Sequence, residues 1–150
     1  MPFPRTFLKA HGTGNDFVFW FDEPGEYEPP PEEVRSLDDR HFGLGGDGII
    51  RLTPPEHVSD VSAEQAQAFH DAGAHWFMDY RNADGSLAEM CGNGARVTAA
   101  LAMHVGLTQA SEDEPFALAT RAGIKYITFL GAVDGLGTHV FRIDMGPWSM

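Results

Sequence analysis

The sequence is poor in cysteine and in lysine. Its only cysteine, Cys91, cannot form a disulfide within the chain. The two lysines, Lys9 and Lys125, belong to a set of 10 basic residues that faces 22 acidic residues, for a net charge of -12. A surface this acidic repels nucleic-acid phosphates and anionic lipid headgroups. We therefore expect neither a nucleic acid nor a membrane surface as a partner.

Long apolar segments are also missing. No run comes near the roughly 20 apolar residues that a membrane-spanning helix needs. The amino-terminal segment MPFPRTFLKA has no charged region followed by a long apolar stretch, as a secretory leader would. We therefore expect a cytoplasmic protein. At 150 residues with 43% hydrophobic side chains, the chain is long enough to bury the core of one domain, 1–150.

The pattern of apolar residues predicts strands arranged around a buried helix. Segments rich in aromatic and β-branched residues predict strands at 17–21, 49–53, 76–80, 116–119, 125–130 and 138–143. Residues 32–41 carry acidic residues early and basic residues late, which predicts a short surface helix. Residues 95–105 are almost all apolar, so the helix predicted there must be buried. The expected fold class is α+β, with mixed or antiparallel strands wrapped round this central helix.

One internal segment, 54–75, differs in composition from the rest of the chain. It is rich in Ala, Asp, Glu, Gln, Ser and His, with a short amphipathic helix predicted around 63–69. We expect a surface insertion without special chemistry.

The strongest chemical signal is the thiol of Cys91 in the segment MCGNGAR, immediately before the predicted buried helix. Unpaired N–H groups and the positive end of a helix dipole favour a thiolate, the form that can take a proton. Gly92 and Gly94 leave the backbone bare, so a ligand carboxylate could approach those N–H groups, and Asn93 adds an amide. The alternative is an ordinary buried cysteine whose neighbouring glycines only tighten the helix start.

Two further turns carry asparagines that could bind a substrate. Asn15 lies in HGTGNDF at 11–17, and Asn82 lies in YRNADGS at 80–86. Either asparagine could donate to a ligand, or it could only stabilise its turn through bonds to the backbone.

Other kinds of site receive no support. GLGGDG at 43–48 has the glycine spacing of a dinucleotide-binding loop, but here a helix precedes and a strand follows, the reverse of the required order. It more simply predicts a tight turn or a close backbone approach. The seven histidines lack metal-ligand spacing and have no second cysteine to join, so we predict no metal. No serine lies in a Gly-x-Ser-x-Gly elbow.

Taken together, the motifs at 11–17, 43–48, 80–86 and 89–96 resemble the diaminopimelate epimerase family in content, order and spacing, and most of all its actinobacterial members. The resemblance implies inversion of LL-diaminopimelate to the meso form without pyridoxal phosphate, metal or any other cofactor. It also implies two catalytic cysteines on opposite faces of the α-carbon. By resemblance Cys91 is the first of them, Asn15 and Asn82 contact the substrate, and Gly92 and Asn93 bind its carboxylate.

The same resemblance defines what this chain lacks. The family's second half supplies the other cysteine and a Glu-Arg pair, and nothing in this sequence matches them. Met145-Gly146-Pro147 resembles the point where the first domain passes into the second. We therefore expect the amino-terminal domain, inactive by itself, and leave open a homodimer. The rival interpretation is a non-catalytic module that holds an amino acid with the same loops.

Overall fold

The computed structural model describes residue 4 and residues 6–145. Within this part of the chain there are three α-helices and seven strands. In chain order they are β1 (Leu8–Gly12), β2 (Asn15–Phe21), α1 (Pro31–Asp38), β3 (Gly48–Thr53), α2 (Ala63–Asp71), β4 (Trp76–Asn82), α3 (Gly92–His104), β5 (Phe116–Thr120), β6 (Gly123–Val133) and β7 (Gly137–Asp144). A single 3-10 turn at Pro55–His57 precedes α2.

The strands form one sheet in the order β1-β2-β3-β4-β5-β6-β7. Strands β2 and β3 are parallel, as are β4 and β5, and the remaining neighbours are antiparallel. Helix α1 lies in the connection between the first parallel pair and α3 in the connection between the second. The predicted α+β class with mixed strands is confirmed.

The sheet curls round α3, which contacts β1, β2, β3, β4 and β6. The helix presents small side chains to the sheet, among them Ala95, Ala99 and Ala102, all fully buried. Phe17, Ile50 and other apolar residues of the inner face pack against them in the main core. The predicted central buried helix is therefore confirmed, although it begins at Gly92 rather than at residue 95.

The outer face of the sheet buries charged side chains. Arg51 and Asp79 pair across β3 and β4 and are fully buried, with Arg51 Nε 3.0 Å from Asp79 Oδ2. Arg81 and Arg121 also donate to Asp79, at 3.1 and 2.8 Å. Burial raises the pKa of Asp79, but the three guanidinium groups outweigh it and hold that pKa below its usual value. Such a pair is costly to break, since either partner alone would be a buried, uncompensated charge.

The segment 54–75 does more than the sequence predicted. Helix α2 is a surface helix, as expected, with only Ala66 buried and a capping box at Ser62. However, Val58 and Ala74 pack with Phe77 in a small core on the outer face of the sheet. The segment therefore covers part of the sheet.

The first helix is shorter than predicted. It ends at Asp38 because the following loop folds back on it: the N–H groups of Leu44 and Gly45 donate to the carbonyl of Leu37 at 2.9 and 3.0 Å.

The remaining points of comparison with the predictions lie at the two ends of the chain. Strand β1 was not predicted. Of the predicted domain junction, Gly146 and Pro147 lie outside the described residues. No helix in the described part of the chain is long and apolar enough to cross a membrane.

Candidate active site

The candidate site lies at one end of the sheet, where the β1–β2 turn meets the start of α3. Thr13 and Gly14 form this turn with φ of 55° and 83°, in the left-handed region that tight hairpin turns use. At Gly12 the hairpin comes so close to α3 that an added Cβ would lie 3.0 Å from the carbonyl oxygen of Asn93. The glycine therefore lets the hairpin approach the helix.

Cys91 is the N-cap of α3 and is partly buried. Its extended backbone (φ -139°, ψ 121°) lets Sγ accept from the N–H of Gly94 at 3.4 Å, while its carbonyl accepts from Ala95 N at 2.8 Å. The same sulfur lies 3.5 Å from Oδ1 of Asn15. The structure thus has the thiol at the helix start, where the sequence predicted it.

Asn15 joins the thiol to a line of hydrogen bonds along α3. Its Oδ1 also accepts from Asn93 Nδ2 at 3.3 Å. The Oδ1 of Asn93 in turn accepts from the guanidinium of Arg96, which also donates to Thr13 Oγ1 at 2.9 Å. The sequence-predicted residues Cys91, Asn15 and Asn93 are thereby in direct contact.

On its other side Asn15 reaches the GLGGDG loop. Its Nδ2 donates to Asp47 Oδ2 at 2.9 Å, and the backbone N–H of Asp16 donates to the same oxygen at 3.1 Å. Arg40 bridges both acids, at 2.8 Å from Asp16 and 3.0 Å from Asp47. Arg40 chiefly, with help from Lys9, overcomes the effect of burial and holds the pKa of Asp16 well below its usual range.

The start of α3 leaves backbone donors open. An ideal Cβ added to Gly92 would meet no atom within 4 Å, and this residue is exposed. Among the described residues, the N–H groups of Gly92 and Asn93 have no hydrogen-bond partner. Free N–H groups at a helix amino terminus are a favourable place for a carboxylate.

Asn82 lies on the same face and at the same end of the sheet, because Gly48 pairs with Phe17 on one side and with Asn82 on the other. Its amide, however, donates to Ser86 Oγ at 3.0 Å, and its backbone N–H donates to the Ser86 carbonyl at 2.9 Å. In the part of the chain that the structure describes, no hydrogen bond joins it to Cys91 or Asn15. Its present contacts are those of a turn residue.

The loop 43–48 makes the close backbone approaches that its glycines predicted. A Cβ at Gly48 would lie 2.6 Å from the carbonyl oxygen of Arg81, and one at Gly43 would lie 2.0 Å from that of Ser36. No side chain fits at either position as the backbone stands.

Two buried titratable groups lie near the loop. Asp38 is buried and, within the described residues, neither of its oxygens has a hydrogen-bond partner; burial raises its pKa to about 7. Tyr80 packs edge-on against Phe17 at 5.7 Å, and burial raises its pKa, with the neighbouring acids adding to the effect. The sequence did not predict either residue.

Asp47 and Arg96 are the site residues that sequence reasoning missed. Both lie inside glycine-rich motifs of the sequence, GLGGDG and MCGNGAR, but each resembles an ordinary turn or helix residue until its partners are known.

Outside this site, His70 and His75 lie in contact, with their Nδ1 atoms 2.8 Å apart, which the sequence did not predict. Residues 4 and 6–145 contain no group of three or more His, Cys, Asp or Glu side chains that could hold a metal ion.

Comparison with known proteins identifies similar chains. Residues 7–149 match the family model described as diaminopimelate epimerase. A diaminopimelate epimerase of Thermobifida fusca is 43% identical over 142 residues, which is 94% of this chain and 47% of the relative. One of Streptomyces coelicolor is 46% identical over 121 residues, 81% of this chain and 39% of the relative. The chain thus spans about half the length of the curated relatives it matches.

A solved structure supports the fold. The crystal structure of methylitaconate-delta-isomerase aligns with a TM-score of 0.58 over 92% of this chain and 41% of that one, at 14% sequence identity. At this identity the likeness concerns the fold alone.

Proposed function

This chain belongs to the diaminopimelate epimerase family, and on that premise we propose that it is the Cys91-bearing half of an isomerase that inverts LL-diaminopimelate to the meso form. The observation that carries the proposal is the thiol of Cys91 beside the open N–H groups of Gly92 and Asn93. A substrate carboxylate on those N–H groups would bring its α-carbon next to the sulfur.

The chemistry follows from this arrangement. A thiolate at Cys91 takes the α-proton from one face of the carbon, and the electron pair spreads into the adjacent carboxylate. The N–H groups at the start of α3 stabilise the charge that develops on the carboxylate oxygens. A second acid then delivers a proton to the opposite face. The proposed reaction uses no cofactor.

The asparagines orient the substrate. Asn15 uses one hydrogen of its amide on Asp47 and keeps a second one for a ligand. Asn93 contributes its backbone N–H, since its side chain is held between Arg96 and Asn15. Asn82 binds the substrate in place of Ser86, its present partner.

Inversion also needs a proton donor on the second face, and we propose that it comes from a second half. Cys91 is the only thiol of this chain, and a thiol fixed on one face cannot deliver a proton to the other face. The chain alone should therefore form no meso-diaminopimelate, a prediction that a coupled assay for the meso product can test.

The second part of this test uses a chimera in which this chain replaces the matching region of the Thermobifida fusca relative. We expect the chimera to convert LL-diaminopimelate to the meso form. Conversion by the chain alone at the rate of the relative would contradict the half-enzyme proposal. Binding of diaminopimelate by a folded chimera that lacks epimerase activity would favour a binding module instead.

A further inference from the structure

We infer that Asp47 is a positioning residue that turns the side-chain amide of Asn15 so that its carbonyl oxygen, and not its NH2 group, faces the thiol of Cys91. The relevance of this orientation to catalysis rests on the proposed proton-transfer role of Cys91. Its geometry and its test do not depend on that role.

The orientation follows from the hydrogen-bonding capacity of each group. An ionised carboxylate only accepts hydrogen bonds, whereas an asparagine amide has a donor end and an acceptor end. Asp47 Oδ2 lies 2.9 Å from Asn15 Nδ2, so the donor end of Asn15 must face Asp47. The acceptor end is then turned towards Cys91, with Oδ1 3.5 Å from Sγ.

The opposite end of the hydrogen-bond chain requires the same orientation. Arg96 can only donate, so it fixes the carbonyl of Asn93 towards itself and leaves Asn93 Nδ2 to donate to Asn15 Oδ1 at 3.3 Å. A flipped Asn15 would place its NH2 group against that of Asn93 and its oxygen against the Asp47 carboxylate. Both charged ends therefore oppose the flip.

Asp47 is itself held in place. Its Oδ1 accepts from Arg40 at 3.0 Å, its Oδ2 accepts from Asp16 N at 3.1 Å, and its own N–H donates to the Asp16 carbonyl at 2.8 Å. The adjacent Gly46 is buried, with little room for the loop to shift. The carboxylate therefore presents a fixed acceptor to Asn15.

The consequence concerns the proton on Cys91. A carbonyl oxygen accepts from a proton-bearing thiol but repels a thiolate, while the N–H of Gly94 on the same sulfur has the opposite preference. By fixing Asn15, Asp47 keeps the side-chain carbonyl oxygen of Asn15 next to the sulfur, where its effect opposes that of the Gly94 N–H. Without that acceptor, only the Asn93 amide still opposes a turn of the Asn15 NH2 group to the sulfur, and such a turn would favour the reactive thiolate.

Alkylation of the 150-residue chain with iodoacetamide at pH 7 tests this directly, because Cys91 is its only thiol. Asp47→Ala withdraws the acceptor and should raise the alkylation rate about three- to tenfold, as expected for the loss of one hydrogen bond. Asp47→Asn keeps an oxygen for Asn15 but removes the charge, and should stay within about twofold of the unmodified chain. Equal acceleration by both variants would assign the effect to charge and overturn the inference.

Two further variants separate positioning from loosening of the site. In an Asn15→Ala background, Asp47→Ala should cause no further acceleration, since the effect passes through Asn15. Asp113→Ala removes an exposed carboxylate that has no hydrogen-bond partner among the described residues, and it should leave the rate unchanged. If Asp47→Ala melts below the assay temperature, Asp47→Ser is measured in its place. The serine side chain is shorter than that of aspartate, so this variant also withdraws the acceptor from Asn15. Acceleration that persists in the Asn15→Ala background, or no acceleration by Asp47→Ala, would contradict the inference, whether or not the chimera is an epimerase.

Discussion

Asp38 is a carboxyl group that the fold buries beside the GLGGDG loop. Its pKa rises from 3.8 to about 7, first because burial penalises the charged form, with the neighbouring charges of Lys9, Asp16, Arg40 and Asp47 modifying the effect. Between those two pH values the folded chain holds a proton that the unfolded chain has lost. The free energy of unfolding therefore falls as the pH rises through this window.

Asp38→Asn should remove this dependence, because asparagine resembles the protonated acid and does not ionise. We expect the variant to be more stable than the unmodified chain at pH 8, by at most about 4 kcal/mol. The difference should become small near pH 4, at the lower end of this window, where the folded chain keeps the proton and the unfolded chain has regained much of it. Urea unfolding at both pH values measures it, with Asp113→Asn as an exposed control. A stability difference that is the same at both values would show that Asp38 does not titrate in this window.

The residues of the site were predictable as types, but their partners were not. The motif around Cys91 and the asparagines at 15 and 93 drew attention because glycines flank polar groups at a turn or helix start. The contact between Cys91 and Asn15 joins positions 76 apart in sequence, so it depends on the register of the whole sheet. Asp47 and Arg96 were missed for the same reason, since their importance comes only from what they touch.

At the scale of elements, helix α3 carries the site. Its apolar composition predicted the buried body of the helix, but Gly92 and Gly94 have low helix propensity and concealed its true start. In the structure, α3 starts at Gly92 because Cys91 caps the helix there and Gly94 packs closely against Ile50. Strand β1 escaped prediction because it is an edge strand, with Lys9 and His11 exposed and no run of apolar residues.

Gly92→Ala tests whether the open start of α3 receives the carboxylate. The added methyl group meets no protein atom within 4 Å, and alanine is the better helix former, so the melting temperature should not fall. The methyl group would occupy the space in front of the free N–H groups. In the active chimera we expect kcat/KM to drop roughly tenfold or more, as for a lost hydrogen bond to a charged group.

Gly94→Ala is the matched control for that substitution. Its Cβ would lie 3.1 Å from Ile50 Cδ1, so it should lower the melting temperature through crowding in the core. Unchanged kcat/KM in Gly92→Ala would mean that the carboxylate binds elsewhere.

At the scale of the whole molecule, the curled sheet and its central helix were predictable because the strand and helix patterns are strong and their order leaves few arrangements. The charged cluster of Arg51, Asp79 and Arg121 was not, because charged residues in strands and turns usually point to solvent. The outer face of the sheet carries the buried ion pairs and is partly covered by the 54–75 segment, whereas the inner face packs on α3, whose start holds Cys91.

The central claim is that this chain contributes the thiol of Cys91 to proton transfer at the α-carbon. The most direct measurement is the entry of deuterium at that carbon when the chimera acts on LL-diaminopimelate in heavy water, compared with its Cys91→Ala variant. The account predicts deuterium in the meso product of the unmodified chimera, and a rate lower by roughly a hundredfold or more in the folded variant. Meso product carrying deuterium at an undiminished rate in Cys91→Ala would contradict it.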